Sequence, residues 1–207
     1  GLGDVYKRQK KRDVMCCMNA GNQGCGRKWS RMRIITDTGT DILDKEAKKL
    51  GIELVAIRSN FTDTVFSENT EAEFTRFYDK LRQTDTLPVS SQPSPAEFLE
   101  LFEDAKEKEE EVVVITISSK LSGTYNGAML AKDMAEYDNI YVVDSLLASL
   151  SERLLVEYAV KLRDAGMGAK ELVQKLEQDR ERVILTGVPS TLLYLKMGGR
   201  ISPVVAA

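Results

Sequence analysis

The chain contains no histidine. That removes the usual general base of neutral pH, the Ser-His pairs built on it and the commonest metal ligand. Cysteine is scarce, and Cys16, Cys17 and Cys25 all fall within the first 31 residues. Disulfides therefore do not hold the rest together, and an adjacent Cys pair without a fourth ligand is a poor set for tetrahedral zinc. No apolar run approaches a membrane span, and no basic, apolar, small-residue signal pattern appears. A cytoplasmic protein is expected. Also missing are the glycine-rich turn ending in Gly-Lys-Ser or Gly-Lys-Thr, the three-glycine dinucleotide turn and the Gly-x-Ser-x-Gly nucleophile elbow.

Basic charge is sparse beyond the start. Residues 1–31 carry eight Lys or Arg against two Asp, whereas residues 32–207 carry 21 basic against 30 acidic side chains. An acidic body without a basic stripe argues against nucleic acid as a partner. Residues 1–31 show neither helical nor strand periodicity and are expected to be a non-core leader, disordered or a scar of expression or read-through.

What is present is organised around Glu111–Ala128. Val112–Ile117 is a continuous β-branched run, the mark of a strand covered on both faces. It stops at Ser118, Ser119, Lys120, Leu121, Ser122 and Gly123, after which Tyr125, Ala128, Met129 and Ala131 return to helical spacing. Ser122 or Thr124 is expected to cap that helix, whose first-turn N–H groups suit a carboxylate or phosphate. The same residues also serve any strand-to-helix loop without touching a ligand.

Around this stretch, strands are expected at Met32–Thr36, Ile52–Ile57, Ile140–Val143 and Val183–Gly187, with a short extended piece within Asn60–Phe66. Helices are expected through Ala47 to Leu50, stopped by Gly51; from the Thr70–Glu73 capping box, with Phe74, Phe77, Tyr78 and Leu81 as its core face; and from Ser94-Pro95-Ala96-Glu97 through Phe98, Leu101, Phe102 and Ala105. Others span about 150–165, with Leu154, Leu155, Tyr158, Ala159 and Leu162 inside, then 169–181, and Ser190–Met197 after Pro189. Pro88 and Pro93 make Leu87–Ser94 a rigid, hydroxyl-bearing loop. The alternation predicts an α/β fold, a parallel sheet flanked by helices. Hydroxyls and carboxylates end three strands, at Thr36–Thr38, Ser118–Ser122 and Asp144–Ser145, and these ends share the sheet edge where ligands bind.

Serines without a base point to binding rather than catalysis. Asp37, Asp41 and Asp144 form the alternative, a magnesium-dependent phosphotransferase or hydrolase; such acids also cap helices. A third reading is a ligand-free fragment that associates with itself.

The segments TDTGTD at Thr36–Asp41, LPVSSQPSPAEF at Leu87–Phe98, ISSKLSGTYNGA at Ile117–Ala128, VVDS at Val142–Ser145 and YLKMGGRIS at Tyr194–Ser202 resemble, in order, the DegV family. The resemblance implies one long-chain fatty acid bound between two α/β domains and presented by its carboxylate to a partner fatty acid kinase, with no catalysis and no cofactor of its own. It implies that Ser90, where the family usually has threonine, and Ser122 with Gly123 hold the carboxylate, and that Arg200 lies near it. Arg200 has a second reading as a cation at a helix C-terminus. Leu192, Leu193, Leu195 and Met197 line an acyl chain or pack as core. Family members continue beyond the GGRI segment, so 32–165 is expected to be the first domain and 166–207 a linking helix with the start of an incomplete second one. SLLASLSERLL after Asp144 replaces a glycine-rich stretch of the family.

Overall fold

In the computed structural model, residues 32–84, 87–188 and 192–201 are described. The chain divides into two units, 1–30 and 31–207, and the leader with its cysteines lies outside the described residues.

Four strands, β1 (Met32–Asp37), β2 (Glu53–Val55), β6 (Glu111–Thr116) and β7 (Ile140–Asp144), form the expected parallel sheet in the order β2-β1-β6-β7. The continuous β-branched run of β6 sits at its centre because both its faces are covered. Val113 and Ile115 face a cluster with Ile34, Val143, Leu155, Val156 and Leu172; Val112 and Val114 face Ile35, Phe98, Phe102, Ala128 and Ile140. Helices α1 (Asp44–Leu50), α5 (Leu150–Asp164) and α6 (Ala169–Asp179) cover the first face, and α3 (Pro95–Glu107) and α4 (Thr124–Ala135) the second. The first crossover leaves β1 toward β2 and the later ones proceed from β6 toward β7. The order therefore reverses between β1 and β6, which opens a crevice at their carboxyl ends.

A second sheet stands over that crevice. Strands β3 (Arg58–Asn60), β4 (Val65–Phe66) and β5 (Val89–Ser91) are antiparallel in the order β4-β3-β5. The expected loop 87–94 is thus partly a strand. Pro88 and Pro93 flank it rather than interrupt it, and β5 is an edge strand, where proline neighbours cost no ladder bond. Strand β2 is shorter than expected because the chain leaves for this second sheet at Arg58. Glu97 of α3 receives both Arg58 guanidinium nitrogens at 2.7 and 3.1 Å and the Ser94 N–H at 2.9 Å, which fixes β3 to α3.

Three further expectations are corrected. On helix α2 (Glu71–Arg82), Tyr78 is exposed and Phe74 and Phe77 are half-buried: this face lines a cavity instead of filling the core. The stripe of α5 is rotated, so Leu154 is 54% exposed while Glu152 is fully buried. Val183–Gly187 is not a strand; no described strand pairs with it, and Ile184 and Val188 are 84% and 96% exposed, as expected of an apolar segment without a ladder neighbour. Ala169, Leu172 and Leu176 of α6 are buried in the same cluster as Ile34 of β1 and Val113 and Ile115 of β6. A last short helix, α7 (Leu193–Met197), is found within the expected Ser190–Met197; Pro189 to Thr191 lie outside the described residues. Among the described residues no helix is long and apolar enough to cross a membrane.

Candidate functional site

The loop after β6 closes on itself before α4 begins. Ser122 N–H donates to Ser118 C=O at 3.1 Å and Leu121 N–H to the same oxygen at 2.9 Å. Gly123 is the N-cap of α4, and no side chain caps the helix. The expected cap by Ser122 or Thr124 does not form, because the two hydroxyls bond each other at 2.9 Å. The first turn of α4 therefore carries uncapped N–H groups and the partial positive charge of the helix terminus.

Opposite this loop stand β5 and the segment after α7. Together they enclose a cavity of about 410 Å³ lined by Ile57, Ser90, Ser91, Gln92, Ile117, Leu121, Ser122, Gly123, Leu195 and Arg200. Ser90, Ser122, Gly123 and Arg200 are thus brought to one cavity from three distant parts of the chain. Pairing of Ser90 with Ser59 across the small sheet sets its position. Arg200 donates to Ser90 Oγ at 3.0 Å and to Gly198 C=O at 2.6 Å. It thus meets the backbone just after α7 and the Ser90 hydroxyl at once. Because Ser90 Oγ accepts from Arg200, its own hydrogen is free to donate toward the cavity. The remaining wall, Ile57, Ile117, Leu121 and Leu195, is apolar.

Ile57 and Ile117 also border a second cavity, of about 330 Å³, whose other lining includes Thr38, Gly39, Ser59, Phe66, Phe74, Phe77 and Tyr78. Phe61, Phe66 and Phe77 pack edge to face at 5.5–5.8 Å beneath it. The first cavity carries hydroxyls and Arg200 on its lining, the second joins these aromatic rings to the acids Asp41, Glu68 and Glu73, and the two isoleucines border both.

The strand-end acids behave differently. Asp37 is fully buried and accepts from Gly39 N–H at 2.9 Å and Ile117 N–H at 2.8 Å. Burial pushes its carboxyl up to about 6 against those two hydrogen bonds. Asp144 accepts from Ser119 and Leu146 N–H at 3.0 and 3.1 Å, and Asp41 accepts from the Ser149 hydroxyl. Each acid ties one loop to another. Among the described residues no three acidic or cysteine side chains converge as a metal site would require.

Sequence reasoning missed Glu152. Both its carboxyl oxygens are buried without a hydrogen-bond partner, as are the Thr36 and Thr116 hydroxyls. Burial, and then the nearby charges of Asp37 and Asp41, push it up to about 10, so it is a neutral acid at pH 7. The signal was available: continuing the buried positions Val160, Ala159, Val156 and Leu155 one turn toward the N-terminus reaches Glu152.

Comparison with known proteins adds context to this geometry. The family profile for DegV, described as an uncharacterised protein family, matches residues 31–207. A DegV domain-containing protein of Caldanaerobacter subterraneus is 33% identical over 172 residues, which are 83% of this chain and 61% of that protein. Among solved structures, a fatty-acid-binding DegV family protein from Thermus thermophilus is similar at a TM-score of 0.72 and 30% identity, over 85% of this chain and 62% of that one. The Streptococcus pneumoniae fatty acid kinase B3 protein, solved with linoleic acid, is similar at a TM-score of 0.69 and 27% identity, over 84% and 63%. The chain spans about three-fifths of the length of the relatives it matches.

Proposed function

The chain belongs to the DegV family, and from that premise we propose that it binds a long-chain fatty acid by its carboxylate and presents it to a partner fatty acid kinase. In this reading Ser90, Ser122, Gly123 and Arg200 surround the carboxylate. The observation that carries it is the meeting of these four residues at one cavity whose remaining wall is apolar. Such a cavity takes a ligand with a small anionic head and a hydrocarbon body. The Ser90 and Ser122 hydroxyls and the α4 N–H groups donate to the head, and Arg200 adds a charge-assisted bond. The body runs past Ile57 and Ile117 toward the side of the second cavity that Phe66, Phe74 and Phe77 form, away from its acids Asp41, Glu68 and Glu73. Burying a methylene is worth about 0.8 kcal/mol, so a long chain gains far more from this path than a short one.

Presentation to a kinase rests on the similarity to the S. pneumoniae protein. The chemistry agrees with it: hydroxyl and N–H donors hold a carboxylate and an acyl phosphate alike. The magnesium-dependent alternative has less to support it, because Asp37, Asp41 and Asp144 are engaged in loop ties.

The test is native mass spectrometry of the purified chain, followed by denaturing extraction and identification of what is released. One fatty acid per chain, lost on substituting Ser122 and Arg200 together, is the expected result. A chain that neither carries a fatty acid nor takes up added palmitate would overturn the reading.

A further inference from the structure

The family resemblance implies that Gly123, with Ser122, holds the carboxylate. Its conformation, φ −78° and ψ 6°, is open to any residue. Glycine is therefore required there for space, and the space is already filled. A Cβ on Gly123 would fall far inside van der Waals contact of Gln92 Oε1, with Gln92 Cδ at 3.0 Å and Nε2 at 3.2 Å. The Gln92 carboxamide, oxygen foremost, thus occupies the space that a side chain at Gly123, the N-cap of α4, would need. It also borders Gly127 one turn on, where a Cβ would meet Nε2 at an ordinary 3.7 Å. Pairing of Ser91 with Arg58 before it and the Arg58–Glu97 tie after it hold the segment that delivers it. Gln92 lines the polar cavity with Ser90 and Ser122, and its amide makes no hydrogen bond to any described residue.

We infer that Gln92 is a further head-group contact, and that Gly123 is a positioning residue that acts on the ligand through Gln92. This rests on the fatty-acid reading above. A neutral carboxamide offers two N–H donors to a carboxylate or acyl phosphate oxygen without adding charge. Seated on glycine at a helix N-terminus, it reaches over the uncapped N–H groups and completes a ring of donors with Ser90, Ser122 and Arg200.

The test is a double-mutant cycle on the intact chain, with palmitate affinity and thermal stability measured for Gln92→Ala, Gly123→Ala and the pair. Each single variant is expected to weaken palmitate about tenfold, and the pair no more than either alone, because the alanine methyl acts only by displacing the amide. Gly127→Ala, whose methyl fits, is expected to leave affinity unchanged. Gln92→Glu should weaken palmitate more than Gln92→Ala does, yet leave hexadecanol within about twofold, since only a charged head is repelled; a merely structural role would move both ligands together. Additive losses, or a Gln92→Ala variant that binds like the parent, would overturn the inference while leaving the fatty-acid reading intact. A parent chain that binds no palmitate would overturn both.

Discussion

The carboxyl ends of the parallel strands present two rims of opposite character. On the rim around Asp37, Asp41, Asp144 and Glu152, the three aspartates accept hydrogen bonds from this chain's own loops, while Glu152 is sealed without a partner. On the rim around Ser90, Gln92, Ser122 and Arg200, the Ser90 hydroxyl hydrogen, the Gln92 amide and the first-turn N–H groups of α4 stay available beside a cavity, although Arg200 and Ser122 also bond within the chain. Both lie where ligands of open α/β sheets bind, and sequence alone offers both as sites. The difference teaches that residue type at a strand end does not make a site. What decides is whether the polar atoms are already satisfied by the fold.

The largest effect that sharpens this contrast is on Glu152. Its folded-state carboxyl is pushed from 4.5 up to about 10. The unfolded chain gives up that proton above about 4.5 and the folded chain keeps it, so this group makes stability fall as pH rises from about 4.5 toward 10. Glu152→Gln keeps the shape without the proton. At pH 7, some 2.5 pH units above the ordinary value, it is expected to be about 3 kcal/mol more stable than the parent, with the gain gone near pH 4. Urea unfolding at the two pH values measures it. Palmitate affinity should not move; a gain independent of pH, or a loss of affinity, would break the separation of the rims.

The second effect lies on the other rim. Ser122→Ala is expected to weaken palmitate about tenfold, as a hydroxyl lost from a charged head group would. Only its bond to Thr124 is lost from the fold, so stability should change by less than about 0.5 kcal/mol. Calorimetric titration and thermal melting of one preparation give both numbers. Unmoved affinity at unmoved stability would remove Ser122 from the site.

How much of this was legible follows from which forces act locally. The central strand, its helix and the Ser94–Glu97 start of α3 are written in short-range periodicity, and the sheet covers β6 as its β-branched run requires, whereas the order of the four strands is a tertiary fact. Ser90, Ser122, Gly123 and Arg200 were reached through resemblance, and their meeting at one cavity is a tertiary fact that no spacing contains. Glu152 was missed because Leu154 reads as the start of the buried stripe, which turns the neighbouring charged pair Glu152 and Arg153 toward solvent. Gln92 was missed because its significance depends on the missing Cβ of a residue 31 positions away. Strand β5 was hidden because three residues between prolines carry no period.

The smallest effect concerns the backbone that joins the rims. After β7 the chain passes through Leu146 at φ 57° and Ser149 at φ 52°, both in the left-handed region that costs a side-chain-bearing residue about 1 kcal/mol or more. These positions fall in the segment where the family resemblance led us to expect glycine. Leu146 is 42% exposed, so its side chain contributes little burial to offset the strain. Leu146→Gly should therefore gain about 0.5 kcal/mol, the relief of strain less the extra freedom of glycine in the unfolded chain. Ser149→Gly relieves similar strain but removes the hydroxyl that bonds Asp41, and should be close to neutral. Equal gains from both, read from paired urea melts, would mean that the Ser149–Asp41 bond contributes nothing and that the acidic rim is held by Asp37 and Asp144 alone.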